Sequence, residues 1–183
     1  MPLTRAGMQN ASLSALSILT EDHLAFRRLF ARFEQQRAAG ADAAARLQLA
    51  RELCRRLIVH AVVEEELFYP AAFDALEDER VITNAANDHR ELHALILQIE
   101  GMDARDRELD ARMTALARRV AEHVQQEEGP LFTRLAFTSL DMEDLGQRIV
   151  ARRKELMGEP GLLDQRPPTL SRPAGHRLQL KKR

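Results

Sequence analysis

Two copies of one motif divide the chain into matching halves. Each copy begins with Asp-His and continues with His-x-x-x-Glu-Glu, 37 residues after the first histidine in one copy and 34 in the other. The copies are Asp22-His23 with His60-Ala-Val-Val-Glu64-Glu65, and Asp88-His89 with His123-Val-Gln-Gln-Glu127-Glu128. Leu-Phe follows both, with one extra residue in the second copy. This self-similarity predicts a helix pair of roughly 60 residues that is used twice within one domain.

Apolar residues around these motifs recur at a helical spacing, and the strict alternation of half-buried strands is missing. The spacing predicts helices over about 17–39, from 42 onward with a kink near Pro70, over 80–100, over 103–137 and over 141–157. Gly40 and Gly101 end the first and third helices, and Gly129-Pro130 disturbs the fourth. Short connections favour an all-α fold, an antiparallel up-down-up-down four-helix bundle with a short extra C-terminal helix.

The net charge of −1 hides a division along the chain. Residues 152–183 hold nine basic and three acidic residues, a net charge of +6, so residues 1–151 carry −7. Four prolines lie beyond Gly158, and few apolar residues accompany them. We therefore expect an N-terminal arm over 1–15, the bundle over 16–138, an accessory helix over 139–157 and a disordered, basic, Pro-rich tail over 158–183.

Polar residues occupy positions where a helical bundle places leucine. Six of them fall in the inward stripes of the four predicted helices: His23, His60, Glu64, His89, His123 and Glu127. An unpaired charge or imidazole in an apolar core costs several kcal/mol, and a domain has a net stability of only about 5–15 kcal/mol. These side chains must therefore satisfy one another, and metal ions are a simple way to achieve this.

The spacing within the motifs supports a metal site. His60 with Glu64, and His123 with Glu127, stand at i and i+4, so each pair lies on one helix face, and His89 with His93 has the same spacing. Imidazole nitrogens and carboxylate oxygens together suit iron, manganese or zinc. Two carboxylates and four or five imidazoles are too many for one tetrahedral zinc ion and fit a pair of ions.

These residues resemble the hemerythrin-like, or HHE cation-binding, family over roughly residues 15–137. The flanking sequences agree with this, including Glu21-Asp22-His23 and Asn87-Asp88-His89. The resemblance implies a bundle that holds two non-haem iron ions, with manganese or zinc as substitutes. It implies that His23, His60, His89 and His123 are terminal ligands, with His93 as an extra histidine, and that Glu64 and Glu127 are bridging carboxylates. It also implies an open coordination position for O2, peroxide or NO.

Several assignments stay open at this level. Oxygen carriers of that family place the last carboxylate five residues after the final histidine, which here is Glu128, whereas helical register favours Glu127. Glu65, Glu66 and Glu128 are either exposed acids or partners that orient imidazoles. Tyr69 lies about 180° around the helix from His60, so we expect it to lie outside the ligand set.

The chain contains one cysteine, Cys54, which excludes a disulfide framework and a multi-cysteine zinc site. The sequence contains no run of 18 apolar residues, so we expect no membrane span and a cytoplasmic location. It also contains no Gly-rich phosphate loop. Nucleic-acid binding is disfavoured because the basic tail lacks aromatic residues and the body is acidic.

The sequence therefore predicts a hemerythrin-like di-iron protein that binds or reduces a small oxidant. The alternative is a metal or oxygen sensor, or an iron carrier, that acts through a protein partner without turnover and contacts it through the fifth helix and basic tail. A third hypothesis is a metal-free structural bundle. Whether the chain is an enzyme is left open.

Overall fold

The computed structural model describes residues 14–158, apart from the side chain of Ile82, and this part of the chain is helical. Seven α-helices follow in order: α1 (Ala15–Ala38), α2 (Ala43–Val63), α3 (Tyr69–Leu76), α4 (Glu79–Glu100), α5 (Leu109–Gln126), α6 (Phe132–Leu135) and α7 (Met142–Gly158). Two π-helical turns link successive helices: π1 (Glu64–Phe68) joins α2 to α3, and π2 (Glu127–Leu131) joins α5 to α6. Residues 14–158 contain no strand, so the all-α prediction is confirmed.

Short polar residues and one glycine define the helix ends. The Asp42 side chain accepts hydrogen bonds from the amides of Ala44 and Ala45, which caps α2. Gly40 adopts a φ of 65°, a left-handed conformation that glycine reaches without steric cost, just after α1.

The predicted start of the fourth helix at residue 103 is wrong, because α5 begins at Leu109. The Asp103 and Asp106 side chains each accept a hydrogen bond from the amide two residues ahead, at Arg105 and Glu108. These Asx turns compete with the helical backbone pattern and delay the helix.

Four long helices enclose the core. Helix α1 packs on α2 and α5, and α4 packs on the same two helices. Fully buried apolar side chains fill the space between them, among them Leu19, Phe33, Leu53, Ile99 and Leu116. Each such side chain contributes about 1.5–3 kcal/mol through burial, so this core positions the polar residues that it surrounds.

Helix α7 lies against one side of this arrangement. It packs on α1, α2 and π1, and it buries Leu145, Ile149 and Leu156. Helix α7 therefore covers the first half of the repeat. The predicted N-terminal arm and basic tail lie outside the described residues, except for Ser14, Ala15 and Gly158. Within residues 14–158, the helices are too short or too polar to cross a membrane.

Both π turns begin at the first glutamate of the repeated His-x-x-x-Glu-Glu motif. Pro70 follows π1 directly after Tyr69, and Pro130 lies inside π2. Proline lacks the amide hydrogen that an α-helix needs, so a local change of hydrogen-bond pattern accommodates it. The sequence indicated a disturbance at both places, but the π turns themselves are a structural finding.

Candidate metal centre

Six of the seven predicted ligands converge in two groups that share one residue. The first group is His23, His60, Glu64 and Glu127, and the second is Glu64, His89 and His123. Within each group the candidate ligand atoms lie within 4.8 Å of one another, and all six residues are buried. Neither group includes His93.

The four imidazoles form two pairs, one from each half of the repeat. His23 Nε2 lies 3.2 Å from His60 Nε2, and His89 Nε2 lies 3.4 Å from His123 Nε2. Each pair joins two neighbouring helices, α1 with α2 and α4 with α5. The Nε2 atoms therefore point to the middle of the four helices from both sides.

The Glu64 carboxylate lies between the two pairs. Its Oε1 is 3.0 Å from His60 Nε2, and its Oε2 is 3.3 Å from His89 Nε2. One oxygen thus faces each half of the repeat, which is the arrangement needed to bridge two cations.

The Glu127 carboxylate joins the pairs in a different way. Its Oε2 alone lies near both halves, 3.3 Å from His23 Nε2 and 3.5 Å from His123 Nε2. Glu128 points away from this centre, since its Oε1 lies 3.0 Å from the outer nitrogen, Nδ1, of His23. Of the two acids that the sequence left open, Glu127 is therefore the one in the cluster.

An acid also faces Nδ1 of each other imidazole, and the pattern repeats. The acid before the first histidine of each half faces the second histidine: Asp22 Oδ2 is 3.2 Å from His60 Nδ1, and Asp88 Oδ2 is 3.6 Å from His123 Nδ1. The acid that follows the clustered glutamate of each half faces a histidine of the other half. Glu65 Oε1 lies 2.7 Å from His89 Nδ1, just as Glu128 faces His23.

These outer acids fix how the imidazoles present their inner nitrogens. A proton held on Nδ1 by a carboxylate leaves the Nε2 lone pair directed inward, as in metal-ligating histidines. Both oxygens of Glu64 and Oε2 of Glu127 are buried, and no well-aligned hydrogen-bond donor reaches them from the described residues. Lone pairs of nitrogen and oxygen thus face one another at close range, and a cation between them fits this donor set.

The sequence profile of the hemerythrin HHE cation binding domain matches residues 14–135. This range contains both copies of the motif and all six converging residues. The chain belongs to the hemerythrin HHE cation-binding family. No curated protein and no solved structure matches it significantly.

The buried acids and imidazoles of this HHE domain strongly shift one another's pKa values. Burial alone lowers the pKa of His60, but the carboxylates of Glu64 and Asp22 raise it to about 10. The pKa of His123 is likewise raised well above its usual value, because Glu127 and Asp88 outweigh burial. Burial raises the pKa of Glu64, yet His60 and the other imidazoles lower it well below its usual range. Because metal-ligating imidazoles are neutral, binding of a cation would release any proton that these carboxylates hold on Nε2.

Tyr69 belongs to the site although the sequence placed it on the opposite helix face. Its hydroxyl donates a 2.6 Å hydrogen bond to Glu127 Oε1, and the residue is buried. The π turn between His60 and Tyr69 explains the difference, because one additional residue per turn rotates the side chains that follow by roughly 100°. The burial pattern of a uniform α-helix gave no signal for this contact.

His93 and Phe26 lie beside the centre rather than in it. Both line a small cavity of about 20 Å³ whose other walls include His60, His89 and His123 together with apolar side chains. The ring centroids of Phe26 and His60 are 5.1 Å apart in an edge-to-face arrangement. Phe26 therefore lines the pocket wall.

Proposed function

We propose that this HHE domain is a dinuclear non-haem iron protein that binds or reduces a small oxidant, O2, peroxide or NO. The observation that carries the proposal is Glu64, whose two oxygens face two separate histidine pairs. A buried carboxylate shared by two nitrogen-rich groups suits two cations better than one. Nitrogen and oxygen ligands also suit manganese or zinc, so the choice of iron is part of the proposal.

The fold that we infer around this centre is an antiparallel up-down-up-down four-helix bundle, with α7 as an extra helix outside it. Support comes from the packing, in which α1, α2, α4 and α5 each contact two of the other three. It also comes from the connections, since short links between long helices favour antiparallel neighbours.

The side chains of the protein prepare the site in three ways. The outer acids hold the imidazoles with Nε2 inward, and the Tyr69 hydroxyl keeps its proton directed at Glu127 Oε1. Phe26 and the apolar residues of the small cavity exclude bulk water. Ferrous ions, when bound, supply electrons and an open coordination position for an oxidant. A cavity of about 20 Å³ has room for one or two small molecules of the size of water, which suits a diatomic molecule.

The test is a metal count on purified protein after anaerobic loading with iron. We expect about two irons per chain, as in dinuclear bundle sites, and a loss of iron in His60→Ala and Glu127→Ala. Glu122 is an exposed acid on α5, and Glu122→Gln is the matched control, which should keep its iron. His93→Ala tests the remaining predicted ligand. If the wild type takes up no transition metal, the proposal fails.

A second candidate function is a metal or oxygen sensor, or an iron carrier, that acts through a protein partner. One contact favours it: Arg153 of α7 donates a hydrogen bond to Asp22, the same carboxylate that faces His60. A change at His60 can therefore reach α7, which leads to the basic tail. Hydrogen exchange of the α7 amides should slow on metal loading if this candidate is correct, and equal exchange rates in both states would contradict it.

Deleting residues 158–183 separates the two candidates. If the deletion leaves reactivity with peroxide or NO unchanged but abolishes capture of a partner, the sensor is favoured. A cytoplasmic location is part of both proposals, and cell fractionation tests it.

A further inference from the structure

A second and much larger cavity opens beside the His123 side of the centre. This cleft has a volume of about 420 Å³, between the N-terminal part of α4 and the segment formed by π2 and α6. Small-molecule sites in proteins usually measure about 300–1,000 Å³. The cleft is therefore large enough for an organic molecule, whereas the small cavity near His93 is not.

The floor of the cleft reaches the metal centre. Tyr69, His123 and Glu127 all line it. Tyr69 and Glu127 are joined by the 2.6 Å hydrogen bond, so a molecule in the cleft reaches this pair, and neither residue lines the small cavity. Asp88, the acid that faces His123, lies on the wall near this floor.

The rim of the cleft carries an excess of positive charge. Asp78 accepts hydrogen bonds from Arg80 Nε at 2.9 Å, from Arg80 Nη2 at 3.0 Å and from Arg134 Nη1 at 2.9 Å. Two guanidinium groups thus share one carboxylate. Each guanidinium has five N–H donors, so both retain the capacity to bind a second carboxylate.

The polarity changes from rim to floor. Val81, Ala85, Pro130 and Leu131 contribute apolar surface to the walls, with Asn84 and Gln126 as uncharged polar neighbours. The carboxylates of Asp88 and Glu127 repel a negatively charged ligand group at the floor of the cleft. A ligand that fits has its negative charge at the rim, a short apolar body, and a neutral hydrogen-bonding group at the inner end.

We propose that this cleft binds a small organic carboxylate, held at its charged end by Arg80 and Arg134 and directed with a hydroxyl-type end toward Tyr69 and Glu127. The inference extends the proposed function and rests on it for the statement that the bound molecule lies next to a metal pair. It gives the centre two approaches, an apolar one for a diatomic molecule and a polar one for an organic ligand.

Tyr69 itself provides the measurement, because it is the only tyrosine and the chain has no tryptophan. The probe is 6-hydroxyhexanoate, titrated to millimolar concentration against zinc-loaded and metal-free protein while tyrosine fluorescence is recorded. Zinc has no redox chemistry and does not complicate the signal. We expect a saturable change, confirmed by saturation-transfer NMR of the probe.

The controls separate the two ends of the ligand. Hexane-1,6-diol, which lacks the carboxylate, and the double variant Arg80→Gln/Arg134→Gln should each weaken binding about tenfold, since charge-assisted hydrogen bonds are lost. Arg148→Gln, an exposed arginine on α7, is the matched variant and should bind the probe as the wild type does.

The outcomes distinguish this inference from the proposed function. Failure of the protein to take up any transition metal contradicts the metal pair, and the titration of metal-free protein still tests the cleft. No saturable response in either form, or equal binding by the wild type and the double arginine variant, overturns the cleft as a carboxylate site.

Discussion

The two halves of the repeat present the same candidate ligands in different surroundings. In the first half, Asp22 faces His60 and also receives a hydrogen bond from Arg153, so α7 covers this side. In the second half, the equivalent acid, Asp88, lies 3.6 Å from His123 and lines the open cleft. The repeated motif therefore specifies the cluster, while residues outside the motif decide which side is closed and which is accessible.

A second difference concerns the residue after the repeated Leu-Phe. In the first half it is Tyr69, whose hydroxyl crosses to Glu127 of the second half. In the second half it is Thr133, whose hydroxyl donates to the backbone carbonyl of Gly129 in its own turn. The histidines are therefore arranged symmetrically in the two halves, but a hydroxyl group from this position contacts Glu127 and not Glu64.

The strongest test of the shared centre is Glu64→Ala. Because Glu64 faces both histidine pairs, its loss should remove metal from both halves, from about two ions per chain to almost none. Metal analysis after anaerobic iron loading checks this, with circular dichroism to verify that the helices persist.

Glu66→Ala is the matched control for Glu64→Ala, since Glu66 is exposed in the same π turn and pairs with Arg152 on the surface. It should keep its metal. Retention of one full equivalent by Glu64→Ala would mean that the halves bind their ions independently and that Glu64 does not bridge.

The metal-free protein should lose stability as the pH rises. The pKa of His60 is raised to about 10 in the folded state, against about 6.5 in an unfolded chain. The stabilisation is therefore fully present below about pH 6.5 and is lost as the pH rises through about 10, by at most roughly 5 kcal/mol. Urea unfolding with a chelator present, over this pH range, measures the effect.

His60→Gln and His123→Gln should each flatten that pH profile, because the pKa of His123 is raised as well. His176→Gln, in the C-terminal segment beyond residue 158, is the control. A profile that stays equally steep in both variants would mean that protons on the cluster do not stabilise the metal-free fold.

Removing the charge of an outer acid should weaken metal binding more in the first half of the repeat than in the second. Asp22→Asn should weaken metal binding about 10–100-fold, the usual cost of losing a partner that orients a ligating histidine. Asp88→Asn should cost less, because Asp88 lies farther from its imidazole, at 3.6 Å instead of 3.2 Å. Competition with a zinc-binding dye gives both affinities. Equal losses would show that the shorter distance between Asp22 and His60 does not strengthen metal binding in the first half.

The helical fold and the convergence of His60 with Glu64 could be predicted because both depend on a local, uniform spacing. Residues at i and i+4 share a helix face whatever surrounds them. The repeat then extended the same argument to His123 and Glu127. The α7 cover and the Arg153 contact with Asp22 could not be predicted, because they depend on how distant segments pack.

The π turns mark the local limit of sequence-based prediction. Pro70 and Pro130 indicated a disturbance, but residue spacing does not reveal whether the chain kinks, breaks or widens by one residue. That difference decides where Tyr69 points, and it is the reason that Tyr69 was assigned to the wrong face. The choice between Glu127 and Glu128 had the same origin.

The smallest expected effect concerns the asymmetric support of Glu127. Tyr69→Phe should weaken metal affinity less than tenfold, because Tyr69 contacts Oε1, whereas Oε2 faces His23 and His123. In the metal-free protein it should lower the free energy of unfolding by about 1 kcal/mol, the usual contribution of one hydrogen bond.

Thr133→Val, at the matching position of the second half, should leave metal affinity unchanged. If both variants have the same affinity as the wild type, Tyr69 supports the fold alone. If Tyr69→Phe loses as much affinity as Asp22→Asn, the hydroxyl orients the carboxylate as strongly as an outer acid orients an imidazole.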